Sequence, residues 1–210
     1  YGNRFSFIEK VIKACFSEGV GKIIIVDNKS DDESRMNLNK LAKNRKNKVQ
    51  LIQLNENKGS AGGYKVGLRI AHNDPSCEYI WLWDDDNLPA KNSLLKLKDF
   101  WNKINDIENK EQKAALLSYR KDRGIYKQAV IQSDPSIVLG KKNSFYGVHI
   151  GKIFDIFFNK FKHFKKIKDN KDDKKSGEIY VAPYGGIFFH KSLLNNIGYP
   201  DEDLYLYYDD

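Results

Sequence analysis

The hydrophobic pattern changes its period several times along the chain. Phe5, Ile8, Val11, Ile12, Cys15 and Phe16 recur at three- and four-residue spacing. That spacing predicts an amphipathic helix, stopped by Gly19 and Gly21. The β-branched run KIIIVDN, residues 22–28, reads as a buried strand ending in Asp27 and Asn28. Ser30 and Glu33 have capping-box spacing, so a helix is expected to start there and run through Leu38 and Leu41. VQLIQLN, from Val49 to Asn55, is a second strand. ENKGSAGGYKVGLRIAH, residues 56–72, reads as a glycine-rich loop opening a helix. YIWLW, residues 79–83, is a third strand. Pro89 opens a further helix with a stripe of Leu94, Leu97, Trp101 and Ile104, and AALLSYR, residues 114–120, is a fourth strand.

Strands alternating with helices at this spacing predict an α/β fold with a mainly parallel sheet flanked by helices. In such sheets ligands bind beyond the carboxyl ends of the strands. Three polar clusters fall at strand ends: Asp27-Asn28, the Asn57–Gly63 stretch, and Asp84-Asp85-Asp86. The rule brings all three to one edge of the sheet. Residues 1–120 are thus read as a ligand-binding α/β half, and 121–210 as a second half of the same domain.

Residues 150–177 break the alternation. Ile153, Phe157, Phe161, Phe164 and Ile167 lie on one helical face among Lys152, Lys160, Lys162, Lys165, Lys166 and Lys168. The favoured reading is a helical insertion whose aromatics pack on the domain. Its rival is an interfacial helix, 152–168, held against an anionic membrane. KDNKDDKK then reads as an exposed loop. EIYVAPYGGIFFHKSLL restarts order, with Gly185-Gly186 as a tight turn, and the sequence closes on LYLYYDD.

Composition narrows these readings. A length of 210 residues allows one substantial core. No apolar run approaches the ~20 residues that cross a bilayer, and no secretory signal is visible. Two cysteines exclude a disulfide scaffold, Cys15 falls on the apolar face of its helix, and a cytoplasmic compartment fits. The net charge of +8 suits nucleic acid, anionic membrane or phosphorylated small molecules without choosing among them. No nucleic-acid recognition motif is present.

Three carboxylates at a strand end suit a hard divalent cation. Mg²⁺ or Mn²⁺ takes oxygen ligands, commonly one or two carboxylates plus substrate phosphates. The plainer reading is a solvated acidic turn capping the helix after Pro89, and the two neighbouring clusters weigh against it. NKGSAGG alone is weaker. Its glycines would let backbone approach a ligand, but it matches no phosphate-loop or dinucleotide fingerprint.

Taken together, YGNR, IIIVDNKSDD, LNENKGSAGGYKVGL, WLWDDDNLP and YGGIFFHKSLLNNIGYPDEDLYLYYDD resemble glycosyltransferase family 2 in its own order. These are the inverting enzymes of the Rossmann-like GT-A fold. NKGSAGG and the triple Asp are similar to the galactofuranosyltransferase- and rhamnosyltransferase-like branch. The resemblance implies that Asp27 contacts the nucleotide base with Asn28 nearby, and that Asn57, Gly59, Gly62 and Gly63 line the nucleotide pocket. It implies that Asp84 and Asp86 face the metal and Asp85 the ribose. Gly185 and Gly186 would lie beside the acceptor. The terminal acidic pair would hold the catalytic base, Asp210 first and Asp209 second.

The implied activity is metal-dependent, inverting transfer of a sugar from a UDP- or dTDP-linked donor. The acceptor would be a hydroxyl of a glycan or lipid-linked molecule, in cell-surface polysaccharide synthesis at the inner face of the membrane. A nucleotidyltransferase of similar fold and a non-catalytic transferase-like domain are the alternatives. The former is expected to show a glycine-rich phosphate signature near the start, and YGNRFSF has none. The latter is expected to have lost acids that are all here. The resemblance also implies a hydrophobic strand before the YGNR position and further chain after the acidic pair, so the sequence reads as truncated at both ends. His190 is read as a packed or surface residue.

Overall fold

In the computed structural model, which describes residues 2–118, 123–139 and 176–203, the apolar runs become the expected alternation of helices and strands. Helix α1, Phe5–Ser17, buries Val11, Ile12 and Cys15. Strand β1, Ile23–Asp27, pairs in parallel with β2, Val49–Gln53, through the connecting helix α2, Asp32–Asn44. The register sets Ile23 beside Val49 and Asp27 beside Gln53. Helix α3, Gly59–Asn73, leads to the short β3, Tyr79–Trp81. After α4, Ser93–Lys103, and one turn of α5, Lys110–Lys113, comes β4, Leu116–Leu117. Strand β5, Ile187–His190, lies between β3 and β4 and runs antiparallel to both.

The chain divides into two compact units, residues 1–118 with 183–210, and residues 119–182. The second holds α6, Gly124–Gln132, and a 3₁₀ turn, Pro135–Leu139. Everything below concerns the first. The insertion expected at 150–177, with its membrane-facing alternative at 152–168, lies almost wholly outside the described residues, as do Asp209 and Asp210.

Alternation along β3 and β5 builds an apolar layer on each face of their sheet. Ile80 and Phe189 face Leu68 and Ala71 of α3, with Leu193 and Leu194 of the last helix, α7, Leu193–Ile197. Phe188 faces the other way, onto Leu94 and Trp101 of α4, where Tyr79 and Trp81 close over it. A third cluster, Ile12, Ile25, Leu38 and Val49, joins α1 and α2 to the parallel pair. Burying a side chain of this size contributes about 1.5–3 kcal/mol, so these layers fix where the strand ends sit.

Four local expectations change. Helix α2 is capped by Asp31, whose Oδ1 accepts from the Ser34 amide at 2.7 Å, and not by Ser30. The Ser30 amide instead donates to Asp27 Oδ1 at 2.8 Å. Helix α4 starts at Ser93, after Asn92 in the left-handed region, and not at Pro89. Its first turn is capped from a distance: Glu18 accepts from the amides of Asn92 (2.8 Å) and Leu94 (3.1 Å). The third strand ends at Trp81, two residues short of Trp83, although Leu82 still bonds through its amide to Ile187 and through its carbonyl to Gly186, and the chain turns only at Asp85-Asp86. Gly59, Gly62 and Gly63 lie inside the first turns of α3 and form no loop.

Candidate active site

The site is organised by the N-terminal turn of α3. Asn28, one residue beyond β1, donates from Nδ2 to the Gly59 carbonyl and accepts at Oδ1 from the Lys58 amide, both at 2.8 Å. Asn57 Oδ1 accepts from the Gly59 amide at 2.9 Å. Two of the three polar clusters are thereby stitched together. Gly59 has φ +66°, in the left-handed region, which lets the chain enter the helix directly from this turn.

Asp27 stands behind this junction with its side chain fully buried. It accepts from the Ser30 amide and, at 3.2 Å, from Gln53 Nε2, with Arg35 Nε 3.4 Å away. A buried carboxylate needs such partners. As placed, Asp27 holds the turn that presents Asn28, and its side chain shows no exposed surface.

The third cluster joins through Tyr64. Its hydroxyl donates to Asp84 Oδ1 and lies 3.1 Å from the Trp83 carbonyl. Its ring stacks on Tyr184 at 4.5 Å between centroids. Asn87 Nδ2 donates to Asp84 Oδ2 at 2.7 Å. Gly185 lies directly against that carboxylate, and a Cβ built at Gly185 would run into it. Gly186 is fixed by backbone bonds on both sides. Its amide donates to the Leu82 carbonyl at 2.8 Å, and its carbonyl accepts from the Ser118 amide at 3.0 Å. Its φ of +97° suits only glycine. The Gly185-Gly186 turn and the acidic trio are therefore neighbours, where the antiparallel β5 begins beside the end of β3.

The charge of the trio is distributed unevenly. Asp84 is engaged by Tyr64 and Asn87. Asp85 and Asp86 share Arg4: Arg4 Nη2 donates to Asp86 Oδ2 at 2.8 Å, and Arg4 Nε lies 2.6 Å from Asp85 Oδ2 as an ion pair without hydrogen-bond alignment. Partial burial works against charge on Arg4, but Asp85 and Asp86 outweigh it and raise its pKa. Burial pushes the Asp85 carboxyl above its ordinary value, against the pull of Arg4.

No three His, Cys, Asp or Glu side chains among the described residues gather into a metal cage. Two carboxylates, Asp84 and Asp86, would nevertheless suit a hard cation completed by ligand phosphates, the pattern Mg²⁺ prefers. His190 is occupied elsewhere, sharing a hydrogen bond of 2.7 Å with Ser192 Oγ.

Four participants carry no sequence signal that periodicity or motif spacing could read: Arg4, Tyr64, Asn87 and Glu202. Glu202 meets Lys65 at 2.8 Å and Lys58 at 4.0 Å, which moors the segment before the terminal acids to α3. All four do stand inside stretches that carry the resemblance: Arg4 in YGNR, Tyr64 in LNENKGSAGGYKVGL, Asn87 in WLWDDDNLP and Glu202 in YGGIFFHKSLLNNIGYPDEDLYLYYDD.

Residues 2–109, just over half of the chain, match the family model of glycosyl transferase family 2. The chain belongs to this family. No curated protein matches it. Among solved structures, it is similar to *S. aureus* TarS, with a TM-score of 0.51 and 14% identity over 98% of this chain and 30% of that one. It is also similar to the mannosyltransferase PcManGT from *Pyrobaculum calidifontis*, solved with GDP-Man and Mn²⁺, with a TM-score of 0.49 and 18% identity over 62% of this chain and 36% of that one. The chain thus spans about a third of each neighbour's length. With TarS the likeness is one of fold, in keeping with the α/β architecture of GT-A glycosyltransferases.

Proposed function

We propose that the protein transfers a sugar from a nucleoside-diphosphate donor to a hydroxyl group, with inversion at the anomeric carbon and with a divalent cation at the acidic trio. One observation carries the reading: the end of β1, the first turn of α3, the acidic trio and the Gly185-Gly186 turn are joined by direct contacts into one site. Membership of glycosyl transferase family 2 supports it.

In this reading Asn28, Asn57 and the glycine-bearing first turn of α3 bind the nucleotide, with Asp27 as the strut behind them. Residues 1–120 form the donor half, and 121–210 the acceptor half. Asp86 and Asp84 are the metal carboxylates and Asp85 the ribose contact. Mg²⁺ or Mn²⁺ would neutralise the diphosphate and so improve the leaving group. Asp210, or Asp209, takes the proton from the acceptor hydroxyl as that oxygen attacks the anomeric carbon. The bond to the diphosphate breaks on the opposite face, so one displacement inverts the centre without a covalent enzyme intermediate. Gly185 and Gly186 lie beside the acceptor. A UDP- or dTDP-linked hexose and a glycan or lipid-linked acceptor of the cell surface complete the proposal.

The test is a thermal-shift screen of nucleotide sugars with Mn²⁺ on the full-length protein. A rise in melting temperature that needs both the sugar nucleotide and Mn²⁺ supports the reading. No rise with any of them removes it.

A further inference from the structure

Arg4 has no task in the chemistry above, yet it holds the site's most concentrated charge. It stands at the N-cap position of α1 without capping the helix, and its side chain reaches across 82 positions of sequence to Asp86. The guanidinium meets both Asp85 and Asp86 and lies 5.6 Å from the centre of the Phe7 ring, which favours a cation on its face. Two adjacent carboxylates repel each other, and a fixed fork of N–H donors is suited to holding both.

A dication brought to Asp84 and Asp86 would meet that guanidinium, 2.8 Å from Asp86, as a like charge only a few ångströms away. Both cannot be seated at once at low cost. We infer that Arg4 is a built-in counter-cation: it holds Asp86 together with Asp85 and must release Asp86 before a divalent cation is held between Asp84 and Asp86. A bare cation then binds weakly, because it displaces Arg4 unaided. A cation arriving with a nucleoside diphosphate binds well, because the phosphates add ligands and negative charge. Arg4 thereby couples metal binding to donor binding. This inference rests on the metal reading of the trio.

The test is titration of Mn²⁺ alone into the nucleotide-free protein, with free Mn²⁺ read by electron paramagnetic resonance. Arg4→Gln is expected to bind Mn²⁺ about three- to tenfold more tightly than the parent, the range for losing one or two partly exposed ion pairs. Arg4→Lys keeps the charge and loses the fork, so it should fall between the two. Arg4 is 42% exposed and makes no helix cap, so both variants should fold, which circular dichroism checks. Equal or weaker binding by Arg4→Gln, while Asp86→Ala still lowers Mn²⁺ affinity, overturns the counter-cation and leaves the metal site standing. Absence of Mn²⁺ binding by parent and variants alike, with or without UDP, overturns the metal reading and this inference together.

Discussion

At the scale of single residues, the acidic trio is three carboxylates in three environments. Asp84 is bound on both oxygens and backed by Gly185, Asp85 is partly buried beside Arg4, and Asp86 is the more exposed partner of the same Arg4. Gly185→Ala should therefore destabilise the protein by about 1–3 kcal/mol in urea unfolding, the usual cost of overpacking. Gly21→Ala, with open space around the new methyl group, should stay within about 0.5 kcal/mol. Equal effects would show that Gly185 does not support Asp84. Tyr64→Phe removes a hydroxyl bonded to a carboxylate and should cost about 1–3 kcal/mol in the same assay.

Cys15 offers a pH test. Burial, aided by Glu18, pushes its thiol up to about 12. A group raised on folding stabilises below its unfolded value and loses that contribution as pH climbs. Between the unfolded value near 8.5 and the folded one, stability should fall by up to about 1.4 kcal/mol per pH unit from this group. Cys15→Ala should flatten that slope between pH 9 and pH 11 in urea titrations, whatever its effect on absolute stability. An unchanged slope would contradict the burial of the thiol.

At the scale of elements, α3 is the organiser. Its first turn receives Asn28 from β1, its Tyr64 reaches Asp84, and its Lys65 receives Glu202. The sequence showed a glycine-rich stretch before a helix but not that the glycines are helical. Propensity argues against glycine inside a helix. Here Gly62 is required because a Cβ would strike the Lys58 side chain. The start of α4 was illegible for another reason: its cap is Glu18, 74 positions away from Asn92. Local patterns cannot report a tertiary cap. Glu18→Ala should cost about 0.5–2 kcal/mol, read as a lowered urea midpoint. A midpoint within error of the parent would mean that the first turn is satisfied otherwise.

At the scale of the whole molecule, the period of the apolar residues carried the α/β class and the convergence of polar strand ends. Hydrophobic runs specify burial, and burial specifies the layers. The antiparallel setting of β5 between β3 and β4 was not carried, because strand pairing across about seventy residues or more leaves no local mark. The partners of the trio were also missed, since YGNR and DDD meet only once α1 and β3 are packed. No helix among the described residues is long and apolar enough to cross a membrane.

The central claim is that the acidic trio holds a cation that binds a nucleoside diphosphate. Calorimetry of UDP and dTDP binding, with and without Mn²⁺, on the parent and on Asp86→Ala tests it most directly. The account predicts Mn²⁺-dependent binding of at least one nucleotide by the parent and its loss in the variant, with the circular dichroism spectrum unchanged. Equal nucleotide affinity in parent and variant, or binding indifferent to Mn²⁺, would contradict it.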